Sequence, residues 1–327
     1  MPLPVPPRRV QTWPIVPEGH SVHRIALQFE RDFVGHTAAV SSPQGRFAEG
    51  AAEIDGLRML SSRAIGKQMF LELENDRWLR IHLGLYGAWE FFGTVSSINE
   101  ESETYGSIGA PRRRRAVRMA ENDTEKPSDF DTFPPEPVGQ VRVRLVTDET
   151  VADLRGPTAC EVIDSAQVAL AIEKLGPDPA DDSSKAAEDR FVKRIRTKPT
   201  PIGLLLMDQS VVAGIGNVYR AELLFRARLD PHTPGKAISV PRLRALWQDW
   251  VYLLDIGIRT GMMLTRDGLS PAEQKKAVRS RADRYWVYKR EGLPCLVCGT
   301  NILLEEMGAR KLYWCPKDQK LPRNVTR

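Results

Sequence analysis

A proline and a glutamate stand side by side near the start of the chain, in the run Val16-Pro17-Glu18-Gly19-His20. A proline with a free N-terminus is a secondary amine, which is a good nucleophile toward a sugar C1′ or an aldehyde. A neighbouring glutamate can donate and accept protons during such a reaction. Inside a chain, the proline nitrogen belongs to a tertiary amide and is not nucleophilic. The chemistry of Pro17 therefore depends on where the working protein begins.

Three cysteines and an aspartate near the C-terminus have the spacing of a metal site. Cys295-x2-Cys298-x16-Cys315-x2-Asp318 is typical of a zinc ribbon, except that the fourth position, usually a cysteine, is an aspartate. Carboxylate oxygen can bind zinc, although thiolate is the usual structural ligand. Three interpretations stay open: Asp318 is the fourth ligand, the site is weaker or is completed by water, or the segment is a metal-free hairpin with three buried thiols. Cys160 is predicted to be a small core residue.

Residues 207–222 predict a turn between two helices that could hold a phosphate. One helix ends near Asp208, a glycine-containing turn follows, and a new helix begins near Asn217. The backbone N–H groups at that helix N-terminus, together with the Asn217 amide, would form an anion site. A plain helix–helix turn is the alternative. Lys67 and Arg310 are isolated basic residues, and by themselves they indicate only solvated side chains.

Composition narrows the classes of protein to consider. The chain has 327 residues, of which 42% are hydrophobic, and this suits a globular protein with two domains. No apolar run reaches about 18 residues, and residues 1–16 lack the apolar segment of a secretory signal. The net charge of +5 is compatible with a polyanionic partner without requiring one. Clustered cysteines in a chain that looks cytosolic favour metal binding over disulfides.

The elements that must position these residues begin with a β-rich part. Residues 1–16 are proline-rich and irregular, and an amphipathic helix is expected directly after Pro17. Residues 94–137 are predicted to be a long flexible insertion whose arginine block, Arg112 to Arg115, is a solvated loop rather than a phosphate contact. Alternation and turn signals predict strands at 37–42, 58–63, 68–73, 78–82 and 141–146, and turns at 84–87 and 153–157.

A helical part follows a linker at Gly176-Pro177-Asp178-Pro179. Helices are predicted over 187–196, 201–208, 218–226 and 240–259, and a small cysteine-containing module begins at Tyr285. The sequence therefore predicts an α+β protein. Its expected parts are an extension at 1–16, an N-terminal domain at 17–176 with the insertion 94–137, a helical domain at 177–284 and a finger at 285–327.

Five motifs in combination resemble those of the formamidopyrimidine-DNA glycosylase/endonuclease VIII family, especially its endonuclease VIII branch. They are Pro17-Glu18-Gly19, Gly66-Lys67, the run from His82 to Gly87, the run from Asp208 to Asn217, and the cysteine finger with Arg310. The resemblance covers nearly everything from Val16 onward, apart from residues 94–137. It implies a two-sheet β-sandwich with flanking helices, a helix–two-turn–helix domain and a C-terminal zinc-finger hairpin.

The resemblance also implies a catalytic mechanism. Pro17, exposed by removal of an initiator methionine, would attack C1′ of the damaged nucleotide and form a Schiff base. Glu18 would protonate the sugar ring oxygen and move protons during elimination. Lys67 would hold the phosphate beside the lesion and assist catalysis. The damaged base must leave the helical stack before this attack.

Further residues match the family's DNA contacts. Asn217 and Arg310 match the other positions that hold phosphates. Leu85 and Tyr86 match the loop that fills the space left by the flipped base, as apolar wedges do in bent DNA. Arg155 occupies roughly the place of another inserted residue, although the sequence around it differs from the other branch of the family.

Two features depart from the family pattern. Family members begin at the proline, whereas this chain has residues 1–16 before it. We hypothesise that Val16 is the true initiator, encoded by a GTG codon, so that the extension would be absent from the mature protein. Asp318 in place of a cysteine puts zinc affinity, and with it the rigidity of the finger that carries Arg310, in question.

The expected function is that of a bifunctional DNA glycosylase and abasic-site lyase of base excision repair. It would excise oxidised bases, with pyrimidines favoured, and cut the strand by β,δ-elimination. The expected cofactor is one structural zinc ion, and the expected partner of this monomer is damaged double-stranded DNA in the bacterial cytoplasm or nucleoid. The alternatives are a non-catalytic damaged-DNA-binding protein, if Pro17 stays blocked, and a zinc-ribbon transcription-type module, in which Pro17-Glu18 would have no purpose.

Overall fold

The computed structural model describes residues 17–98, 115–120, 124–127, 132–280 and 283–321. The extension at 1–16 and the arginines at 112–114 lie outside the described residues. The helices are α1 (Gly19–Asp32), α2 (Ala48–Ile54), α3 (Ser165–Glu173), α4 (Lys185–Arg196), α5 (Ile202–Leu205), α6 (Asn217–Arg226), α7 (Val240–Thr260) and α8 (Pro271–Arg279). The strands are β1 (Ala39–Ser41), β2 (Met59–Ile65), β3 (Gln68–Leu73), β4 (Arg77–His82), β5 (Ala88–Gly93), β6 (Arg115–Met119), β7 (Thr124–Pro127), β8 (Val141–Val146), β9 (Thr150–Arg155), β10 (Ala159–Ile163), β11 (Leu303–Glu306) and β12 (Lys311–Trp314).

Two antiparallel sheets form the N-terminal part of the protein. One has the strand order β1-β8-β9-β5-β6-β7, and the other has the order β10-β4-β3-β2. Both sheets contribute to one hydrophobic cluster, which also contains Phe29 of α1 and Phe33 directly after that helix. The ring of Phe29 meets Trp89 of β5 edge-on, with centroids 4.8 Å apart, and full burial of one such phenylalanine contributes about 1.5–3 kcal/mol. The predicted two-sheet sandwich with a flanking helix is confirmed.

The first helix forms where its apolar spacing predicts it. Val22, Ile25, Ala26 and Phe29 recur at helical spacing, and all four are buried against the sheets. The helix begins at Gly19, directly after Glu18, which occupies the N-cap position. Helix α1 therefore carries the predicted catalytic pair at its N-terminus and anchors that terminus through its buried face.

The structure corrects two predictions in this part. Residues 94–137 are not wholly a flexible insertion, because β6 and β7 extend the six-stranded sheet and Met119 is fully buried in the core. Arg115 and Arg118 of β6, together with the arginines that precede them in the sequence, concealed this strand, since they made a sheet segment look like a charged loop. Residues 153–157 are not wholly a turn, because β9 runs to Arg155. Asp153 is paired there with Arg144 across the neighbouring strand, which offsets the cost of burying an acidic residue.

The four predicted helices of the next part are present as α4, α5, α6 and α7. They bury a second hydrophobic cluster that includes Phe191, Trp247 and Trp250. Helix α5 is shorter than predicted because the Asp208 carboxylate accepts a hydrogen bond from the Ser210 N–H group at 2.9 Å, which stabilises a turn instead of a further helical turn.

Strands β11 and β12 form the C-terminal hairpin of the described chain. Tyr313 of this hairpin shares a hydrophobic cluster with Ala221 and Phe225 of α6, so the finger packs directly on that helix. None of the helices in the described residues combines the length and the apolar character that crossing a bilayer requires. The α+β class and the three predicted structural parts are confirmed, whereas their exact residue limits stay predictions.

Candidate active site and nucleic-acid interface

The carboxylate of Glu18 lies on the N-terminus of α6. Its Oε1 atom accepts a hydrogen bond from the Val218 N–H at 2.7 Å, and Oε2 accepts from Gly216 at 3.1 Å and Tyr219 at 3.2 Å. A Cβ atom on Gly216 would lie 2.4 Å from the Glu18 carboxyl carbon, so only glycine leaves room for this contact. The backbone anion site predicted at this helix is therefore filled by a protein carboxylate and not left open for phosphate.

Glu18, which is buried, and Lys67, which is half-buried, form an acid–base pair. Burial raises the pKa of Glu18, while Lys67 and the three backbone N–H groups act in the opposite direction. Burial lowers the pKa of Lys67 against the attraction of Glu18, and the charge of Arg310 lowers it further. A carboxyl group with a raised pKa beside an amine with a lowered pKa suits proton transfer. Pro17 is buried beside Glu18.

Three glycines allow separate parts of the chain to come into close contact beside Glu18 and Lys67. The Gly19 N–H donates to the Gly214 carbonyl at 2.8 Å, and a Cβ on Gly19 would lie 2.9 Å from the Gly214 Cα atom. A Cβ on Gly66 would lie 2.8 Å from the Ala213 Cβ atom. Gly66 precedes Lys67, and Gly214 lies in the turn before α6. These contacts fix the start of α1, the β2–β3 turn and the turn before α6 against one another.

Asp178 of the linker stabilises the same junction, and the sequence did not single it out. Its Oδ2 atom lies 2.5 Å from the Gly66 nitrogen and 2.8 Å from His23 Nε2. The adjacent Pro177 carbonyl accepts a hydrogen bond from the Ala213 N–H at 3.1 Å. The linker therefore contacts both the β-sandwich and the helical part. In the sequence, Asp178 had the appearance of an ordinary turn residue between two prolines.

Asn217 and Arg220 connect α6 to the finger. The Asn217 amide donates to the Lys311 carbonyl at 2.8 Å, and its oxygen accepts from Arg220 at 2.5 Å. Arg220 also donates to the carbonyls of Met307 at 3.1 Å and Lys311 at 3.2 Å. Burial lowers the pKa of this arginine to about 10. These two carbonyls flank the turn that carries the exposed Arg310, so Arg220 stabilises this turn by binding both of its ends.

His82 also lies beside Lys67, and it was not among the residues predicted for the active site. Burial lowers the pKa of His82, and the charges of Lys67 and Arg80 lower it further. It ends β4, directly before the loop that contains Leu85 and Tyr86. The sequence did contain one signal for a role of His82 in the site, namely its position at the start of the motif from His82 to Gly87.

The predicted wedge loop projects from the sandwich. Tyr86 is 68% exposed, and Leu85 is half-buried. The loop is packed against the chain after β9, because a Cβ on Gly156 would lie 3.2 Å from the Tyr86 carbonyl oxygen. Arg155 at the end of β9 is ion-paired with Glu90 and donates to the Val138 carbonyl at 2.8 Å. These contacts hold its guanidinium on the sheet, so they give no support to the predicted insertion of Arg155.

The four predicted metal ligands come together in the finger. The donor atoms of Cys295, Cys298, Cys315 and Asp318 all lie within 4.8 Å of one another. The sulfurs of Cys298 and Cys315 are 3.5 Å apart, and Asp318 Oδ2 is 3.1 Å from the Cys295 sulfur. Zn–S bonds of about 2.3 Å and Zn–O bonds of about 2.0 Å in a tetrahedron separate ligand atoms by about 3.5–3.8 Å, so the donor set fits zinc. Cys160 lies outside this cluster and packs against the core of the sandwich.

Known protein families match each part of the chain. The formamidopyrimidine-DNA glycosylase N-terminal domain matches residues 16–156, the H2TH domain of that enzyme matches 175–267, and the zinc finger found in FPG and IleRS matches 292–321. Endonuclease 8 1 of Mycobacterium tuberculosis is 39% identical over 305 residues, which are 92% of this chain and 98% of the relative. The chain belongs to the formamidopyrimidine-DNA glycosylase/endonuclease VIII family. It is therefore a DNA glycosylase with abasic-site lyase activity, an enzyme of the base excision repair of damaged bases.

Solved structures show the same fold as this glycosylase. Lactococcus lactis Fpg in complex with DNA containing N7-benzyl-Fapy-dG has a TM-score of 0.67 at 20% identity, over 93% of this chain and 100% of that one. MutM (FPG) of Thermus thermophilus has a TM-score of 0.63 at 23% identity, over 93% of this chain and 98% of that one. Formamidopyrimidine-DNA glycosylase of Methylococcus capsulatus is 36% identical over 151 residues, 45% of this chain and 52% of that one. The predicted family, fold and enzyme class are confirmed, and the roles of single residues stay predictions.

Proposed function

We propose that this glycosylase excises oxidised bases, pyrimidines above all, through a Schiff base formed on the nitrogen of Pro17. The observation that carries the proposal is the position of Pro17 beside Glu18, whose carboxylate is fixed by the N-terminus of α6 and lies near Lys67. A nucleophile, a proton carrier and a cation therefore occupy one buried junction. This combination suits attack at a sugar carbon followed by proton transfer.

The proposed reaction has five steps, which are base displacement, ring opening, two eliminations and hydrolysis. The free Pro17 nitrogen, an amine with a pKa of about 7.7–8.0 in ordinary chains, attacks C1′. The damaged base leaves with the bonding electrons and takes up the proton that the nitrogen loses. Glu18 protonates the ring oxygen, the ring opens, and an iminium links Pro17 to C1′. Loss of a C2′ proton then expels the 3′ phosphate, and a second elimination expels the 5′ phosphate. This β,δ-elimination leaves a one-nucleotide gap, and hydrolysis frees the proline.

Phosphate binding by Lys67, Asn217 and Arg310 is part of the proposal. The charge of Arg310 acts on Lys67, so the two cations repel each other in the free protein. A backbone phosphate between them would relieve that repulsion, which favours DNA at this position. Leu85 and Tyr86 would fill the space of the flipped nucleotide, since Tyr86 is exposed at the tip of its loop.

The finger is proposed to hold one structural zinc ion through Cys295, Cys298, Cys315 and Asp318. When bound, the ion cross-links the two ends of the finger and supplies folding energy to it. The position of Arg310 depends on residues of the chain itself. Arg220 binds both carbonyls that flank the turn with Arg310, so a rigid finger sets the position of that guanidinium. We further propose that the protein acts as a monomer on double-stranded DNA in the cytoplasm.

The preference for pyrimidines rests on likeness to the endonuclease VIII branch. The relative of nearly equal extent carries the name endonuclease 8 1. By contrast, the formamidopyrimidine-DNA glycosylase of Methylococcus capsulatus aligns over only 52% of its length. Two local features of this chain resemble the same branch, namely the start at Pro17-Glu18 and the motif Leu85-Tyr86.

The alternative function is a damaged-DNA-binding protein without lyase activity. It is favoured by one fact of the sequence, namely that Val16 precedes Pro17 and blocks its nitrogen. Cleavage of duplexes with thymine glycol, 8-oxoguanine or an abasic site separates these functions. A chain that starts at Pro17 is expected to cut thymine glycol and abasic duplexes and to leave phosphate on both sides of the gap. Binding without cleavage by that chain would establish the alternative.

A further inference from the structure

Arg228 occupies a helix end at which glycine is the preferred residue. After α6, the Leu229 N–H donates to the Leu224 carbonyl at 3.0 Å, and the Arg228 N–H donates to Phe225 at 2.9 Å. This pair of bonds is a Schellman motif, in which the residue at the position of Arg228 adopts a left-handed conformation. Arg228 has a φ angle of +51°, which costs a residue with a Cβ atom conformational energy. An arginine here indicates that its side chain has a role that offsets this cost.

The guanidinium of Arg228 contacts a predicted zinc ligand. Its Nη1 atom lies 2.8 Å from Oδ1 of Asp318, and its Cζ atom lies 5.3 Å from the centre of the Phe225 ring. The backbone is also held, since Arg242 donates to the Arg228 carbonyl at 3.0 Å. The backbone of Arg228 is therefore held by Arg242, and its side chain, which is 47% exposed, reaches the finger.

The two carboxylate oxygens of Asp318 have different neighbours. Oδ1 is bound by Arg228, whereas Oδ2 lies 3.1 Å from the sulfur of Cys295 and 3.5 Å from that of Cys315. Aspartate can bind a metal through one oxygen or through both, and its side chain has to be oriented for tight binding. The contact with Arg228 leaves only Oδ2 directed at the thiols.

We propose that Arg228 is a positioning residue for zinc, which makes Asp318 a ligand through Oδ2 alone. The inference rests on the proposed zinc site and extends it to a residue outside the ligand set. This arrangement explains how a finger with an aspartate in place of a cysteine can bind zinc.

A double-mutant cycle on the full chain tests the proposal. The apparent Kd for Zn²⁺ is measured by competition with a chromophoric chelator, and the bound zinc is counted by mass spectrometry. Arg228→Met is expected to weaken zinc binding by about tenfold to a hundredfold, the usual effect of losing a residue that orients a ligand. In the Asp318→Cys background, which has no carboxylate to orient, the same substitution is expected to change the Kd less than about threefold.

Two variants act as controls. Lys317→Met removes the same charge from an exposed side chain one position from Asp318, and it is expected to leave the zinc Kd unchanged. Arg228→Gly relieves the left-handed strain, so the zinc-free protein should unfold at an equal or higher temperature while zinc binding still weakens. A purely structural role of Arg228 would make stability and zinc binding fall together.

The outcomes separate the inference from the zinc site itself. If the wild-type chain binds zinc with one ion per protein, but Arg228→Met has no effect, or has an equal effect in both backgrounds, the positioning role is wrong and the zinc site stands. If the wild-type chain binds no zinc, both the zinc site and the role of Arg228 are wrong.

Discussion

The Oε1 atom of Glu18 lies 2.7 Å from the backbone nitrogen of Val218, although the two residues are 200 positions apart in the chain. This contact joins the N-terminus of the β-sandwich to the N-terminus of α6. The helix dipole and the backbone N–H groups favour a negative charge there, whereas burial opposes it. The balance between these effects gives Glu18 a raised pKa, which is the property required of a group that both donates and accepts a proton.

Gly216→Ala should displace the Glu18 carboxylate, because the new Cβ would lie 2.4 Å from its carboxyl carbon. A displacement of about 1 Å at a catalytic group costs about a hundredfold in rate, and we expect a loss of that size in single-turnover base excision. Gly268→Ala is the control, since a Cβ there meets no atom within 4 Å. It should reduce stability by about 1 kcal/mol, because φ is positive, and leave the excision rate unchanged. Equal rates for the two variants would contradict the role of the contact.

Asp178→Asn should move the turn that carries Lys67, since the substitution places an amide group beside the donors of Gly66 and His23. We expect the maximal rate to fall about tenfold to a hundredfold with a smaller change in KM, because the catalytic lysine and not the general DNA surface is misplaced. Asp182→Asn is the matched control, as this partly exposed carboxylate binds only Arg190 and Ser184 among the described contacts. A change in KM alone would show that Asp178 does not position Lys67.

Arg220→Met should release the turn that carries Arg310, because the guanidinium binds the carbonyls on both sides of it. We expect weaker binding to abasic DNA and a smaller dependence of that binding on salt, as in Arg310→Ala. The double variant should be little worse than Arg310→Ala, since both changes remove one phosphate contact. Equilibrium binding at several salt concentrations measures both the affinity for abasic DNA and its dependence on salt. Additive losses in the double variant would show that the two arginines act independently.

His20 should make the protein sensitive to acid. Burial lowers the pKa of His20 from 6.5 to about 3. A lowered pKa means that the stability contributed by the neutral ring is complete above about pH 6.5 and is lost as the pH falls from there toward about 3. The loss is about 1.4 kcal/mol per pH unit, or about 2 kcal/mol between pH 6.5 and 5. Urea unfolding of the wild type and of His20→Asn from pH 5 to 8 should show this difference in slope; parallel curves would contradict it.

Periodic and motif-bearing segments of the fold could be predicted from the sequence. Helix α1 has an apolar stripe at helical spacing, and strand β8 begins with alternating valine and arginine, so the local pattern was sufficient to predict both elements. Strands β6 and β7 were missed because β6 is stabilised by pairing with β5 and β7 by pairing with β6, and the charged local sequence does not indicate either pairing. Asp153 had the appearance of a turn residue because its partner, Arg144, lies on another strand.

The candidate site was predicted in its residue types but not in its contacts. The motif around Glu18 predicted chemistry, and the motif around Asn217 predicted a helix N-terminus. Sequence spacing could not show that the Glu18 carboxylate occupies the N-terminus of this helix, because the contact spans about 200 positions. Asp178 and Arg228 were missed for the same reason. Each has the appearance of a common linker or helix-end residue until its partner from a distant segment is known.

The identity of the nucleophile is tested most directly by borohydride trapping on abasic-site DNA. A chain that begins at Pro17 is expected to form a stable cross-link, and peptide mass spectrometry should place the DNA adduct on Pro17. The full chain, with Val16 bonded to that nitrogen and its intact mass verified, is expected to form none. A cross-link to the full chain in equal yield, an adduct on another residue, or no cross-link from the Pro17 chain would contradict the account.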